Sequence, residues 1–220
     1  MSASSSPPSP FDKYRHIVIE GPIGVGKTSL ATKLAERFKA EPVLEEPAEN
    51  PFLERFYRDG ARYALPTQLF FLFQRVNQLR DIAQRDLFSQ ALVGDFLLDK
   101  DPLFARLTLD DDELSLYQTL YENLRPQAPT PDLVIYLQAP ADDLVDRIHR
   151  RGISMESNIT EHYLRTLADA YSRYFYRYDE APLMVINTEH LNPIDNEQDF
   201  QTLLRQLADL KGRRVFFNQN

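Results

Sequence analysis

The chain has no cysteine. This excludes a disulfide scaffold, a Cys-ligated zinc site and a thiol nucleophile. No apolar run approaches the ~20 residues that a membrane helix needs. The opening MSASSSPPSP lacks both the charged and the apolar segment of a signal peptide, so a cytoplasmic protein is expected. Positive charge is also short: 25 Lys and Arg face 33 Asp and Glu, a net charge of −8. Neither a nucleic acid nor a membrane is an expected partner, because nonspecific binding to a phosphate backbone needs a basic surface. A small phosphorylated ligand in a local positive pocket remains compatible. Glycine is scarce, with 7 in 220 residues, roughly half the average usage of about 7%. Three of them, Gly21, Gly24 and Gly26, fall within six residues, which points to a local backbone requirement that only glycine meets.

What is present is enough for one sizeable core. Residues 1–10 read as a disordered tail, 11–212 as a single domain and 213–220 as a second tail. Short apolar runs at His16–Ile19, Val43–Leu44, Ala91–Val93, Leu133–Leu137 and Leu183–Ile186 read as five strands. Between them lie helical patterns. Leu30, Leu34 and Phe38 share one face of a helix that begins at Lys27, and a short helix is expected within Asn50–Asp59. Pro66 suits the first turn of a long helix to about Leu87, whose face carries Leu69, Leu72, Val76, Leu79 and Ala83. Further helices are expected from Asp110–Asp112 to Leu124, over Ala141–Arg151, from Thr160 to Tyr178 and from Asn196 to Leu210. The stripe Leu164, Leu167, Tyr171, Tyr174 and Tyr178 reads as packing. The fold class is therefore α/β, a five-stranded parallel sheet flanked by helices, with a long helical insertion between the second and third strands.

Gly21-Pro22-Ile23-Gly24-Val25-Gly26-Lys27-Thr28 fits G-x-x-x-x-G-K-[ST], with an apolar strand before it and an amphipathic helix after it. Backbone N–H groups of such a loop, with Ser29 just beyond it, curve around phosphate oxygens, and the helix N-terminus adds a favourable dipole. Lys27 reaches the β- and γ-phosphates and Thr28 can hold Mg²⁺. ATP or GTP with Mg²⁺ is the expected ligand. A G-protein would need an Asn-Lys-x-Asp motif, whereas Asn187-Thr188-Glu189-His190 follows the fifth strand. A motor ATPase would carry paired acids after a strand, and the third strand ends in Asp95 alone. A small-molecule kinase fits better.

The segment Ile19–Thr28, followed by Glu45-Glu46-Pro47 and Glu49-Asn50-Pro51-Phe52-Leu53, resembles the deoxynucleoside kinases, most of all the bacterial deoxyadenosine/deoxyguanosine kinase branch. The resemblance runs from about Tyr14 to Leu210. It implies the P-loop kinase fold, ATP as donor, Mg²⁺, a deoxynucleoside acceptor with purines preferred, deoxyadenosine before deoxyguanosine, and a homodimer through long helices. Carried over by residue, it makes Glu46 the general base on the sugar 5′-hydroxyl, with Glu45 as the alternative. Tyr57 and Glu156 become the pair on the 3′-hydroxyl. Gln68 and Arg75, seven apart and so on one helical face, become the base readers. Of Phe70, Phe71 and Phe73, Phe71 is the chosen base-stacking residue. Arg147, Arg150 and Arg151 open a lid over 147–158, with Arg147 and Arg151 placed on phosphates.

The chain also departs from the family pattern. Where most members carry acid-Arg-Ser after the third strand, this one has Asp95-Phe96-Leu97. Asp95 fits the acid, on the Mg²⁺ side. Phe96 replaces the arginine, and Lys100 or Arg75 is left to supply the charge. Ile153 stands where many relatives have a lid arginine. An aspartate in the Asp99–Asp101 region, Asp99 first, is expected to accept from an exocyclic amine of the nucleobase. Two rival readings stand beside this one. A thymidylate-type nucleoside-monophosphate kinase would need an extra cationic site for the acceptor phosphate. A nucleotide-binding regulatory protein would have lost efficient transfer.

Overall fold

In the computed structural model, which describes residues 9–84, 91–125 and 129–217, the run His16–Glu20 forms strand β1, buried at every position. A strand without polar alternation needs cover on both faces. Flanking it are β3 (Leu92–Gly94) and β4 (Leu133–Gln138). Beyond them lie β2 (Glu41–Val43) on one side, and β5 (Leu183–Asn187) then β6 (Arg214–Phe217) on the other. The order is β2-β3-β1-β4-β5-β6 and every pairing is parallel.

The helices are α1 (Lys27–Phe38), α2 (Leu53–Arg58), α3 (Gly60–Gln84), α4 (Asp101–Thr108), α5 (Asp111–Leu124), α6 (Ala141–Arg151), α7 (Glu161–Arg177) and α8 (Glu197–Asp209). Successive residues of β1 face opposite sides of the sheet. Ile17 and Ile19 pack with Leu30 and Leu34 of α1 and with Phe200, Leu203 and Leu207 of α8. Val18 faces Leu167, Tyr171 and Phe175 of α7, along with Val134 and Tyr136. The expected Leu164–Tyr178 stripe is thus core packing. A third cluster joins α3, α5 and the end of β3 through Leu72, Val76, Leu79, Leu92, Phe96 and Tyr117.

The expected helix starts hold where a cap closes them. Asp110 accepts from the Glu113 N–H at 2.9 Å, Thr160 from Tyr163 at 3.1 Å and Asn196 from Gln198 at 2.8 Å. Four expectations change. The sheet has a sixth strand, because Arg214–Phe217, expected as a tail, pairs with β5 and seats Phe217 in the core. Ser9 and Pro10, expected as tail, belong to the fold: Ser9 caps a 3₁₀ turn at Pro10–Asp12, and Lys13 donates to the Leu210 carbonyl at 2.7 Å. Helix α3 begins at Gly60, so Pro66 lies inside it and not in its first turn; it also buries Ile82 and not Ala83. Helix α4 is an addition, with Pro102 in its first turn. Residues 1–8, 85–87 and 218–220 of the expected tails and long helix lie outside the described residues. Among those described, no helix is long and apolar enough to cross a membrane.

His16, at the start of the central strand β1, makes the stability of the fold pH-sensitive. Burial pushes its imidazole down from 6.5 to about 4, partly opposed by Asp132. As pH falls, the unfolded chain takes up the proton first, so folded-state stability is lost between those two values. Between pH 7 and pH 5 the His16 contribution should fall by roughly 2 kcal/mol. Urea unfolding of His16→Gln should show a correspondingly shallower acid-side loss than the parent chain.

Candidate active site

The C-terminal ends of β1 and β3 open on one crevice. The sheet order reverses about β1, and open α/β sheets bind ligands at that switch point. The loop after β1 reaches α1 through Gly24 and Gly26, with φ of 84° and 101°. A side chain at Gly26 would also strike Ile194 Cδ1 at 2.5 Å. Both positions therefore require glycine. Lys27 opens α1 and folds back, its Nζ donating to the Pro22 carbonyl at 3.2 Å. Thr28 Oγ1 donates to Asp95 Oδ2 at 2.5 Å. Asp95 also accepts the Glu45 backbone N–H at 2.8 Å. Burial raises the Asp95 pKa, and these two hydrogen bonds oppose the rise.

Deeper in the crevice lies a row of ionisable groups. Glu20, at the end of β1, accepts from the Gly21 and Leu97 backbone N–H groups and from the Tyr171 hydroxyl at 2.8–3.0 Å. Lys100 Nζ sits 3.4 Å from Glu20 Oε2 and 3.7 Å from Glu45 Oε1. Arg75 donates through Nε to Glu45 Oε1 at 2.7 Å, pairs with it again through Nη2, and reaches Asp101 through Nη1. The Tyr117 hydroxyl closes the row on Asp101 Oδ2. Burial opposes ionisation of Glu45, yet Arg75, Lys100 and Lys27 together hold it down to about 2.

Glu45, not Glu46, is the carboxylate in the crevice. Val43 is buried, and in an extended chain Glu45 follows it on the same side while Glu46 faces away. Glu46 is exposed at the start of the 3₁₀ turn Pro47–Glu49, where the neighbouring Glu49 raises its pKa. The carboxylate expected at Glu46 thus stands at its alternative position.

The pocket wall combines side chains from several helices. Tyr57 comes from α2, Gln68 and Phe71 from α3, and Tyr163 and Tyr171 from α7, while Ile23, Lys27 and Thr28 line the phosphate side. Gln68 is buried, with Nε2 3.5 Å from Thr108 Oγ1, and Phe71 stacks on the Arg75 guanidinium at 4.9 Å. Phe70 and Phe73 are not among its lining, and Phe73 is exposed. Glu156 lines the pocket with Tyr57, and Arg151 contacts both its oxygens at 2.5 Å. Burial, then Tyr163 and Glu156, raise the Tyr57 pKa.

Two further placements differ from expectation. Asp99 lies outside the pocket, paired to Arg125 at 2.6 Å, and the acid beside Arg75 is Asp101. Arg147 and Arg151 share α6 but engage different partners. Arg147 donates to Thr188 Oγ1 at 3.0 Å and to the Thr188 carbonyl at 2.8 Å, lining a separate groove with Gly24, Gly26 and Ser29. Phe96 is core and does not line the pocket, whereas Lys100 and Arg75 both do. Tyr163, Tyr171 and Phe104 also line it unanticipated. Tyr171 sat in a stripe that signals packing, and no spacing marks the other two.

A family model described as deoxynucleoside kinase matches residues 17–210. Deoxyguanosine kinase of Bacillus subtilis is 31% identical over 88% of this chain and 96% of its own length. The deoxyadenosine/deoxycytidine kinase of the same organism is 28% identical over 88% and 92%. The solved structure of M. mycoides deoxyadenosine kinase with products dCMP and a flexible dCDP is similar with a TM-score of 0.78 at 26% identity, covering 89% of this chain and 100% of that one.

Because Asp101 is fully buried, its charge depends on Arg75. Arg75→Met should cost about 3–5 kcal/mol in urea unfolding, the usual penalty for stranding one member of a buried pair. The double variant Arg75→Met/Asp101→Asn should recover part of that loss.

Proposed function

This chain belongs to the deoxynucleoside kinase family, phosphotransferases with an alcohol acceptor, and on that premise we propose that it transfers the γ-phosphoryl group of ATP to the 5′-hydroxyl of a purine deoxynucleoside in nucleotide salvage. The observation that carries the reading is the place of Glu45: an ionised carboxylate in a pocket that phosphate-loop residues line together with Tyr57, Gln68 and Phe71, aimed by Arg75 and Lys100.

In this mechanism the loop Gly21–Gly26, with Lys27 and Ser29, holds the donor phosphates. The Thr28 hydroxyl and Asp95 carboxylate are paired hard-oxygen donors that would hold Mg²⁺. Bound there, the ion would neutralise charge on the β- and γ-phosphates. Glu45 orients the 5′-hydroxyl and accepts its proton. A carboxylate held near 2 is a weak base, but the transition state of phosphoryl transfer is loose. The proton therefore leaves late, from an oxygen already bonding to phosphorus.

Tyr57 and Glu156 take the 3′-hydroxyl. Gln68, which both donates and accepts, reads the nucleobase edge, with Arg75 and Asp101 behind it and Phe71 against its face. Arg151, next to Glu156, neutralises the transferred group as the lid closes, and Arg147 borders the donor side. Deoxyadenosine and deoxyguanosine are the expected acceptors, in the order the family branch suggests. The protein acts in the cytoplasm as a homodimer; light scattering at micromolar concentration should give twice the chain mass, and a monomer alone would remove that element.

The test is phosphate transfer from ATP to the four deoxynucleosides, with ribonucleosides and nucleoside monophosphates as controls. Purine deoxynucleosides should be the best acceptors, and a preference for monophosphates would overturn the reading. Glu45→Gln should lower kcat by about 10²–10⁴-fold, the usual contribution of a general base, while Glu46→Gln should stay within about twofold of the parent.

A further inference from the structure

Lys100 is among the most deeply buried large side chains of the described residues, 1% exposed, and it lines the nucleoside pocket. Burying an ammonium costs several kcal/mol unless it is well paired, so its partners say what it is for. On one side lies Glu20, already anchored by two backbone N–H groups and the Tyr171 hydroxyl. Tyr171 OH also takes a hydrogen bond from Lys100 Nζ at 3.3 Å, and the Phe104 ring lies 4.9 Å below the ammonium. On the other side lies Glu45 at 3.7 Å. Glu20, Tyr171 and Phe104 fix the ammonium from behind, and its open side faces Glu45.

Arg75 holds the same carboxylate oxygen. Its guanidinium binds Glu45 Oε1 and, through its other arm, the buried Asp101. Arg75 is thus shared between two carboxylates, and Lys100 is the second cation within 4 Å of Glu45. Two cations, Arg75 and Lys100, converge on one oxygen, Glu45 Oε1.

We propose that Lys100 is a positioning residue for phosphoryl transfer, an internal cation that, as a second restraint beside Arg75, keeps Glu45 aimed at the acceptor hydroxyl. The proposal rests on the deoxynucleoside kinase reading above. It gives Lys100 an electrostatic task that no neutral side chain of its shape performs.

The test removes the ammonium and returns it as a separate molecule. In Lys100→Ala, kcat should fall about 10- to 100-fold, the scale of a misplacement near 1 Å, with KM for ATP and for the deoxynucleoside within about threefold of the parent. Added n-propylamine, protonated at assay pH, should restore much of the lost kcat, and n-butanol of similar size should not. Because Lys100→Ala leaves Glu20 without its cation, Glu20→Gln/Lys100→Ala is assayed in parallel with a thermal melt. It removes the stranded charge and should show the same amine rescue. A folded variant with unchanged kcat, or a loss that butanol repairs as well as the amine, overturns the proposal, because the lysine would then be packing. So does a loss that neither compound repairs in the folded double variant. Failure of the parent enzyme to phosphorylate any deoxynucleoside is a different result: it rejects the functional reading before any variant is made.

Discussion

From the C-terminal end of β1 to the first residue of α4, five ionisable side chains alternate in sign: Glu20, Lys100, Glu45, Arg75 and Asp101. Four of them are at most 4% exposed as side chains, and Glu45, at 17%, is the one that meets the pocket. A buried charge survives only when its neighbours pair it. Each member here is paired on both sides or anchored by backbone N–H or tyrosine hydroxyl groups. The row leaves three carboxylates against two cations, and Lys27, close enough for Glu20, Glu45 and Asp95 to raise its pKa against the lowering by burial, supplies the third. The carboxylate at the pocket is thereby fixed in charge and direction before any substrate arrives, and such preorganisation lowers the cost of reaching a polar transition state.

The sheet makes this arrangement possible. Parallel strands bring the ends of β1 and β3 together as neighbours, with Val18 opposite Gly94. The phosphate loop leaves from one end, and Asp95 and the turn to Lys100 leave from the other. Helix α3 crosses nearby and contributes Gln68 and Arg75 from one face, while α7 covers the opposite side with Tyr163 and Tyr171. The donor side of the crevice is local in sequence. The acceptor side is assembled from segments far apart in the chain.

That difference decides what can be read without coordinates. The phosphate loop is a contiguous pattern with fixed glycines, and its strand and helix are where the pattern requires them. Helices α5, α7 and α8 begin where Asp110, Thr160 and Asn196 cap them, since a cap is a one-residue signal with a local mechanism. Glu45 against Glu46 is a question of parity, and two adjacent apolar residues, Val43 and Leu44, give no parity until the strand is seen to bury Val43. Asp99 against Asp101 is the same question in the turn before α4: the chain rotates Asp99 toward Arg125 and Asp101 toward Arg75. The family likeness named the helices that form the pocket, but it could not rotate a side chain. Strand β6 and helix α4 were not foreseen: β6 follows the last helix in a stretch that reads as a tail, and α4 starts within the turn that follows β3.

Phe96 and Lys100 are two halves of one exchange. At the end of β3 the side chain of Phe96 turns into the cluster of α3 and α5, where burial of an aromatic ring contributes about 1.5–3 kcal/mol. A cation there would have to be drawn out of that cluster to reach the crevice. The 3₁₀ turn Leu98–Lys100 reverses the facing within a few residues, so Lys100 emerges on the pocket side and Phe96 on the core side. A long flexible ammonium suits the second position better than a rigid fork would, because its partners, Glu20, Tyr171 and Glu45, converge on a point and do not lie in a plane. Arg75, which must span two carboxylates, is where the planar fork belongs. The division between packing at one residue and charge at the other follows from the direction of a single turn.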